Sequence, residues 1–397
     1  MNLLNLTAIF LITLIFLINK INPKPETHII KKRSGISNDA EKLPPQIHWC
    51  LELEPGKTYN QFLDVSKIFI RQAMKSLQDK TCLTFTEETN CPSDSNLSNR
   101  LIKFKGDLKN RLTSYNFQYQ NPISNPYEIK IEYFCNKRVG CFTKKILAYL
   151  GLILTHRRSD RDTYIKMNDS SISPNYKSEF EIINNADLGG TGYDYGSVMH
   201  ISKFYRNLNF GDVFNISPEE YELMTGQEYG PSFNDLKLLN HRYCDDKCST
   251  KLECKNGGYT NPDSCSYCEC PNGYKGTLCA EIDDSDPGCG ATELVATPEE
   301  NELNFDGKKK CNIQITASVG KKIKINVKLA QVPSFNPCFE KQALEIKHRS
   351  DKSLTGLCLC TYAKDSIVKS EDNTVLIQYN GERVANTVKL TYQEVDE

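Results

Sequence analysis

The chain has 397 residues and a mass of 45.1 kDa, which at roughly 150 residues per domain suggests two or three domains. Its 49 Lys and Arg residues are balanced by 50 Asp and Glu residues, so the net charge of -1 offers no basic surface for nucleic acid. The 17 cysteines exclude an ordinary reduced cytosolic protein; five precede residue 244 and twelve follow residue 243.

The first residues are typical of an exported protein. Leu6 to Ile18 is an apolar run interrupted by two threonines, which fits a signal-peptide core and is short for a membrane span. We therefore expect residues 1–20 to be a signal peptide; an uncleaved anchor is the alternative, because no cationic side chain precedes the run. A basic triplet at residues 31–33 predicts a second cleavage that would remove a short pro-segment, residues 21–33, unless it is only a solvated charge run. No later stretch is apolar enough to span a bilayer, so the processed protein is expected to be secreted without stable membrane insertion.

Residues 34–244 alternate between helical and strand patterns, as in an α+β domain. Steps of three and four predict an amphipathic helix between Gln61 and Lys80, with apolar positions Phe62, Val65, Phe69, Ala73 and Leu77. A period of two predicts a half-buried strand in which Ile129, Ile131 and Tyr133 alternate with Lys130 and Glu132. A second helix is expected to begin near Phe142.

Residues 245–282 contain six cysteines and several Gly-rich turns, in a segment too small to be stable without disulfides. The cysteine order resembles an EGF-like module; a metal-binding knuckle is the alternative. The resemblance implies the bridges Cys248–Cys265, Cys254–Cys268 and Cys270–Cys279.

Residues 289–394 alternate like an all-β sandwich, with apolar positions at 313, 315, 323, 325, 327, 329, 375, 377, 379, 388, 390 and 392. Its cysteine pattern resembles a CUB domain. The resemblance implies a bridge Cys289–Cys311 and a second bridge from Cys338 to either Cys358 or Cys360.

Three segments of the first domain carry a functional resemblance. Leu150-Gly151-Leu152 followed by residues 158–162 resembles the end of the zinc-binding signature of the astacin family of metalloendopeptidases, which are metzincins. Residues 193–200 resemble that family's Met-turn, and residues 226–244 resemble its final helix and closing cysteine. The resemblance implies a multidomain protein: an α+β astacin-like domain, an EGF-like module and a CUB sandwich.

The residues that this chemistry needs are absent. Such a site requires three imidazoles on zinc and an adjacent Glu as general base. By resemblance, the three ligand positions here are Lys144, Ala148 and Leu154, the general-base position is Lys145, and the Tyr position of the Met-turn is Ile201. Alanine and leucine have no lone pair, and a lysine must lose its proton before it can bind a metal. We therefore expect no cofactor.

The lysines and histidines near this site allow more than one structural interpretation. One ammonium could fill the space of the metal, held by backbone carbonyls, or both lysines could be solvated helix residues, which we expect for Lys145. An improvised zinc site would have to use His156 and His200, and two imidazoles without a third ligand bind weakly.

The other residues that carry the resemblance are expected to have structural roles. Gly151 permits a chain reversal and Met199 supplies an apolar floor. Asp160, Arg161 and Asp162 are expected to form a salt-bridge cluster that fixes their loop. The helix before Gly151 should be amphipathic and able to pack without a metal. The resemblance also implies a bridge Cys82–Cys244, while Cys135 could pair with Cys91 or Cys141.

Asn96, Asn168 and Asn215 begin glycosylation sequons. The sequence thus predicts a secreted, catalytically inactive astacin-like protein that binds an extracellular protein or peptide. One alternative is an active zinc metalloendopeptidase with unusual ligands. Another is an adhesive protein in which the first domain is only a spacer.

Overall fold

The computed structural model describes residues 34–36, 43–52, 60–92, 101–107, 127–132, 135 and 137–396. The predicted signal peptide and pro-segment lie outside these residues, as do Tyr133 and Asn96. Among the described residues, no helix has both the length and the apolar character needed to cross a bilayer.

Three α-helices occur in the described part of the first domain: α1 (Asn60–Gln78), α2 (Val139–Tyr149) and α3 (Phe233–Tyr243). Helix α1 buries Ala73 and Leu77, as the sequence predicts, and also Ile70. The predicted positions Val65 and Phe69 are only half-buried. Helix α2 packs against α1 and buries nearly its whole circumference. The expectation that α2 is amphipathic is therefore wrong, because its polar side is covered as well.

Eight strands of the described residues accompany these helices. They are β1 (Ser34–Ile36), β2 (Gln46–Glu52), β3 (Thr84–Glu87), β4 (Leu101–Asp107), β5 (Tyr127–Glu132), β6 (Ile165–Met167), β7 (Asp187–Leu188) and β8 (Phe214–Ile216). Four of them form a parallel sheet in the order β3-β2-β4-β5. Strand β1 pairs with β7 and β6 pairs with β8, both antiparallel. Short 3₁₀ helices link these elements, at Thr155–Arg157, Arg161–Thr163, Asp169–Ser171, Pro174–Phe180 and Glu219–Met224.

The cysteine-rich segment contains two small antiparallel ribbons. The first joins β9 (Tyr259–Thr260) to β10 (Cys268–Glu269), and the second joins β11 (Tyr274–Lys275) to β12 (Glu281–Ile282).

The C-terminal region is almost entirely β. Its strands are β13 (Glu293–Val295), β14 (Asn301–Asp306), β15 (Lys310–Thr316), β16 (Lys322–Gln331), β17 (Ala343–Lys347), β18 (Leu357–Leu359), β19 (Tyr362–Ala363), β20 (Ser366–Lys369), β21 (Thr374–Asn380) and β22 (Thr387–Val395). One sheet has the order β13-β15-β21-β17-β18, and the other has β14-β22-β16-β19 with β20 also paired to β16.

One position on β16 departs from the predicted alternation. The pairing register with β22 shifts between Val327 and Leu329, so Leu329 is only half-buried and Ala330 is fully buried instead. A bulge inserts one extra residue and moves the following side chains to the opposite face.

All 17 cysteines lie among the described residues, and sixteen form eight disulfides. The pairs are Cys50–Cys91, Cys82–Cys244, Cys135–Cys141, Cys248–Cys265, Cys254–Cys268, Cys270–Cys279, Cys289–Cys311 and Cys338–Cys360. Of the alternatives left open by the sequence, Cys135 pairs with Cys141 and Cys338 with Cys360. Cys358 is a buried free thiol.

Candidate functional site

Helix α2 ends in a reversal that carries the chain back toward the helix. Gly151 has φ 93°, in the left-handed region that favours glycine. The backbone N–H of Leu152 donates to the Leu147 carbonyl at 2.9 Å, and Leu154 begins the next 3₁₀ turn. The turn therefore leads from α2 to Leu154, the position that resembles the third ligand position.

A cavity of about 560 Å³ opens at this place. Three residues singled out from the sequence, Lys144, Leu154 and Ile201, line it together. Ala148 and Lys145 are not among its lining residues. The remaining lining residues are Lys137, Arg138, Val139, Ser202, Tyr205, Gly226, Glu228, Tyr229, Asn336 and Pro337. The last two belong to the C-terminal region, which therefore contributes to the wall of the cavity.

Lys144 is buried against the cavity, with 4% of its surface exposed. Its ammonium Nζ donates to the backbone carbonyl of His200 at 3.3 Å. Burial lowers the pKa of Lys144 to about 8, and the charge of Lys145 acts in the same direction against an opposing attraction from Asp235. An ammonium held by a backbone carbonyl corresponds to the first of the two sequence alternatives.

Lys145 is not a solvated residue, contrary to expectation. Its Nζ lies 2.9 Å from Oε2 of Glu132, and the two side chains are 7% and 4% exposed. Glu132 was expected on the open face of its strand. It is the last residue of β5, where burial also covers the second face of the strand.

Glu228 is the acidic residue among the described lining residues of the cavity. Its Oε2 accepts a hydrogen bond from Nη1 of Arg138 at 2.9 Å, and its side chain is 9% exposed. Within the described part of the chain, Oε1 is buried without a hydrogen-bond partner. Burial raises the pKa of Glu228 to about 7. The backbone N–H of Gly140 donates to the Glu228 carbonyl at 2.9 Å, which joins α2 directly to this wall.

Neither candidate histidine lines the cavity. His200 is fully buried: its Nδ1–H donates to the Ile201 carbonyl at 2.8 Å, and Nε2 accepts from the Tyr193 hydroxyl at 2.9 Å. Burial lowers the pKa of His200 to about 4. His156 donates from Nε2 to the Glu179 carbonyl at 3.0 Å, and burial lowers its pKa well below the usual value. Both imidazoles are neutral packing groups.

The loop after α2 is held by contacts that differ from the expected salt-bridge cluster. Asp160 pairs with Arg158, whose Nε and Nη2 lie 2.9 and 2.7 Å from its two carboxylate oxygens. Arg161 instead donates to the carbonyls of His156 and Phe180, and its partner Asp162 is 68% exposed. Asp160 and Arg161 therefore do not form one cluster, because Arg158 takes the acidic partner.

The segment with Met199 is anchored to α3. Asp235 accepts from the Ser197 hydroxyl at 2.6 Å and from the Val198 N–H at 3.0 Å, and it forms a capping box with Ser232. Burial raises the pKa of Asp235 to about 6. Met199 is 2% exposed.

The C-terminal sheets pack directly on the same segment. Nη1 of Arg349 donates to the Tyr193 carbonyl at 2.7 Å, and the Tyr221 hydroxyl bonds Nε2 of His348 at 2.7 Å. The hydroxyl of Thr355 donates to Asp194 at 3.3 Å. Asn336 and Pro337 of the same region line the cavity.

The residues at the three ligand positions do not suit zinc, since they offer an ammonium and two aliphatic side chains. Elsewhere in the described ranges, no three His, Cys, Asp or Glu side chains converge on a common point. The sequence interpretation missed Glu132, Glu228 and the wall from the C-terminal region. The sequence could have indicated Glu228, because it directly follows the Gly226-Gln227 pair. No sequence pattern pointed to Asn336 or Pro337.

Comparison with known proteins identifies similar sequences. A family model described as Astacin, a peptidase family, matches residues 57–244. Zinc metalloproteinase nas-34 of Caenorhabditis elegans is 33% identical over 355 residues, which is 88% of this chain and 55% of that protein. Zinc metalloproteinase dpy-31 of Brugia malayi is 30% identical over 281 residues, covering 65% of this chain and 45% of that protein. The chain thus spans about half the length of these relatives.

Among solved structures, High choriolytic enzyme 1, a hatching enzyme zinc-protease from Oryzias latipes (medaka fish), aligns with a TM-score of 0.38 at 22% identity. The alignment covers 54% of this chain and 94% of that structure.

Proposed function

We propose that this chain, whose residues 57–244 form an astacin domain, is a secreted homologue of the metalloproteases that binds a protein or peptide without hydrolysing it. The observation that carries the proposal is the cavity at the predicted metal position. Lys144, Leu154 and Ile201 line it, and none of the three is a zinc ligand under ordinary conditions.

The lysines also argue against hydrolysis. A general base beside the metal has to accept a proton from water. Lys145, at that position, is a buried cation paired with Glu132 at 2.9 Å, so its charge serves the fold. Lys144 adds a second positive charge nearby, which repels a divalent cation.

The modules that follow support a binding role outside the cell. We infer an EGF-like module at residues 245–282, held by three disulfides, and a CUB domain at residues 289–394, built from two β-sheets. Eight disulfides favour an oxidising compartment, consistent with removal of a signal peptide and secretion.

Zinc content tests the proposal. The protein would be secreted from eukaryotic cells and desalted without chelator, and zinc per chain would be measured by plasma mass spectrometry. We expect less than about a tenth of an equivalent, against one equivalent for a site with three protein ligands. A full equivalent, together with chelator-sensitive cleavage of an unstructured substrate, would overturn the proposal in favour of an active metalloendopeptidase.

A further inference from the structure

One sheet of the C-terminal region has a basic outer face. Strands β16, β20 and β22 place apolar residues toward the core and the intervening residues toward solvent. Every charged residue on the solvent side of these described strands is a lysine, whereas β14, next to β22, presents Glu302 and Asp306 there. The net charge of -1 therefore conceals a local separation of charge. We call the lysines of this side the basic face: Lys322, Lys324, Lys328, Lys369 and Lys389.

The strand register brings these lysines together in two groups. Lys324 on β16 lies directly opposite Lys369 on β20, and Lys389 on β22 lies opposite Leu329, next to Lys328. The groups are roughly 13 Å apart, because four residues of a strand separate Lys324 from Lys328. Like charges directly opposite each other destabilise a sheet, so an anion bound over the basic face would remove a repulsion.

The acidic residues of the protein neutralise this face only in part. Oε1 of Glu300 lies 3.5 Å from Nζ of Lys328 and accepts a hydrogen bond from the Thr391 hydroxyl at 2.8 Å. Asp396, just after β22, pairs with Lys321. No described residue forms an ion pair with the three other lysines that carry the argument, which are Lys324, Lys369 and Lys389.

The residue types on the basic face favour one kind of anionic polymer. A lysine ammonium acts as a point charge toward an anionic oxygen. The solvent side of these three strands has no arginine and no aromatic ring, the groups that bind nucleic acids by forked hydrogen bonds and by stacking. Asn326 lies between the two lysine groups, and its buried Oδ1 has no hydrogen-bond partner in the described part of the chain. This acceptor is complementary to an O–H donor.

We propose that the basic face binds a sulfated polysaccharide, with sulfate groups on the two lysine groups and sugar hydroxyls over Asn326. Such a polymer carries the anions and the O–H donors in one chain. Eight disulfides favour the oxidising space outside the cell, where it would be met. The inference goes beyond the proposed function, because it concerns a different surface and holds whether or not the first domain binds a peptide.

Heparin, a sulfated polysaccharide, tests the assignment on the full secreted chain. Its binding would be compared with that of chemically desulfated heparin by surface plasmon resonance at about 0.15 M salt, where charges beyond about 8 Å are screened. We expect heparin to bind at least about tenfold more tightly, because the charge-assisted contacts of the lysines are lost without sulfate. Its affinity should fall steeply as the salt concentration rises, since bound lysines displace counterions.

Two double variants localise the effect. Lys324→Gln/Lys369→Gln should weaken heparin binding about 25-fold, at about fivefold for each cation near a polyanionic surface. The control Lys130→Gln/Lys166→Gln removes the same charge from exposed positions on β5 and β6 of the first domain, and should leave the affinity unchanged. Urea unfolding followed by circular dichroism would show that both variants are folded. The first should be at least as stable as the unsubstituted protein, because it removes a like-charge pair.

Each contrary outcome overturns a different part of the proposal. Equal weakening by the two double variants would reject the basic face as the site, and equal binding of desulfated heparin would reject the sulfate contacts. A DNA duplex or poly-glutamate that binds more tightly than heparin at equal charge concentration would reject the polysaccharide in favour of another anion. None of these results alters the zinc content. Chelator-sensitive cleavage of a substrate would overturn the proposed function and leave heparin binding unchanged.

Discussion

Nζ of Lys145 lies 2.9 Å from Oε2 of Glu132, with both side chains almost fully buried, so helix α2 is tied by an ion pair to the last residue of strand β5. Lys145 occupies the position that resembles the general base of a protease. Its charge is satisfied by the scaffold of the domain, where a water molecule would otherwise have to be activated. Stability measurements on this pair therefore test how much the two charges contribute to the free energy of unfolding.

Lys145→Met should lower the free energy of unfolding by about 3–5 kcal/mol, because it leaves the Glu132 charge buried without this counter-charge. The double variant Lys145→Met/Glu132→Leu should recover most of that loss. Urea unfolding followed by Trp49 fluorescence measures both. Lys75→Met is the control, since it breaks a pair whose side chains are 74% and 48% exposed; we expect a change below about 0.5 kcal/mol there. A loss no larger than that of the control would contradict a structural role.

Lys144 should make the stability depend on pH in the alkaline range. Its pKa is lowered by burial to about 8, from 10.5 in the unfolded chain. Between these values the unfolded state binds more protons, so the free energy of unfolding rises with pH, by up to about 3 kcal/mol at 1.4 kcal/mol per pH unit.

In Lys144→Met this contribution should vanish, and the variant should be the more stable protein below pH 8. The quantity to measure is the difference in unfolding free energy between the two proteins at several pH values, which cancels the titration of buried tyrosines. A difference that stays constant from pH 7 to about pH 10 would show that the ammonium is not desolvated.

Introducing the astacin-type residues at these four positions should fail unless Glu132 is changed too. In the variant Lys144→His/Lys145→Glu/Ala148→His/Leu154→His, the new Glu replaces a cation that lies 2.9 Å from Glu132, so two carboxylates meet in a buried site. We expect the variant to unfold at lower urea than Lys145→Met, because like charges add to the loss of the pair.

Adding Glu132→Leu should restore folding, and it should raise zinc per chain toward one equivalent. Both would be measured on the same preparation, by Trp49 fluorescence and plasma mass spectrometry. Normal stability of the four-residue variant would mean that residue 145 can turn away from Glu132.

Gly140→Ala should destabilise the protein, although alanine favours helices over glycine by about 1 kcal/mol. A Cβ at Gly140 would overlap the backbone of Glu228, and backbone cannot move aside as a flexible side chain does. We expect the free energy of unfolding to fall by about 1–3 kcal/mol, as in other overpacked sites, when measured by urea unfolding followed by Trp49 fluorescence. Gly230→Ala is the matched control: it has open space around it and should be neutral.

Of the two sequons in the described residues, Asn215 should carry the glycan. It is exposed on β8, whereas the Asn168 side-chain Nδ2 donates to Ser171 at 2.8 Å and to the Asp212 carbonyl at 3.2 Å. A sugar on that nitrogen would disturb both bonds. Peptide mapping after enzymatic deglycosylation measures occupancy, and a glycan on Asn168 with none on Asn215 would contradict the expectation.

Local periodicity was sufficient for the elements that have one covered face. The spacing of apolar residues in α1 predicted the burial of Ala73 and Leu77, and Ile129 and Ile131 marked the inner face of β5. The same rule failed for Glu132 and for α2, because burial there extends to both faces. A pattern that assumes one solvent-exposed side cannot represent an element covered all round.

The sequence could not predict which charged residues pair, or which distant segments come into contact, for a different reason. Asp160 had cations on both sides, Arg158 and Arg161, and spacing alone does not decide between them. The wall formed by Asn336 and Pro337 depends on how the C-terminal sheets dock on residues 193–196, and no local repeat records such docking. The prediction that these positions do not hold zinc, by contrast, rests on residue types alone, since alanine and leucine cannot donate a lone pair.

Cys358 is 1% exposed, and its backbone N–H donates to Sδ of Met224, across the contact between the C-terminal sheets and the first domain. A thiol reacts only when solvent and reagent reach it. The rate at which an alkylating reagent labels Cys358 in the native protein therefore measures how often these two parts separate. The measurement needs no dye and no engineered cysteine.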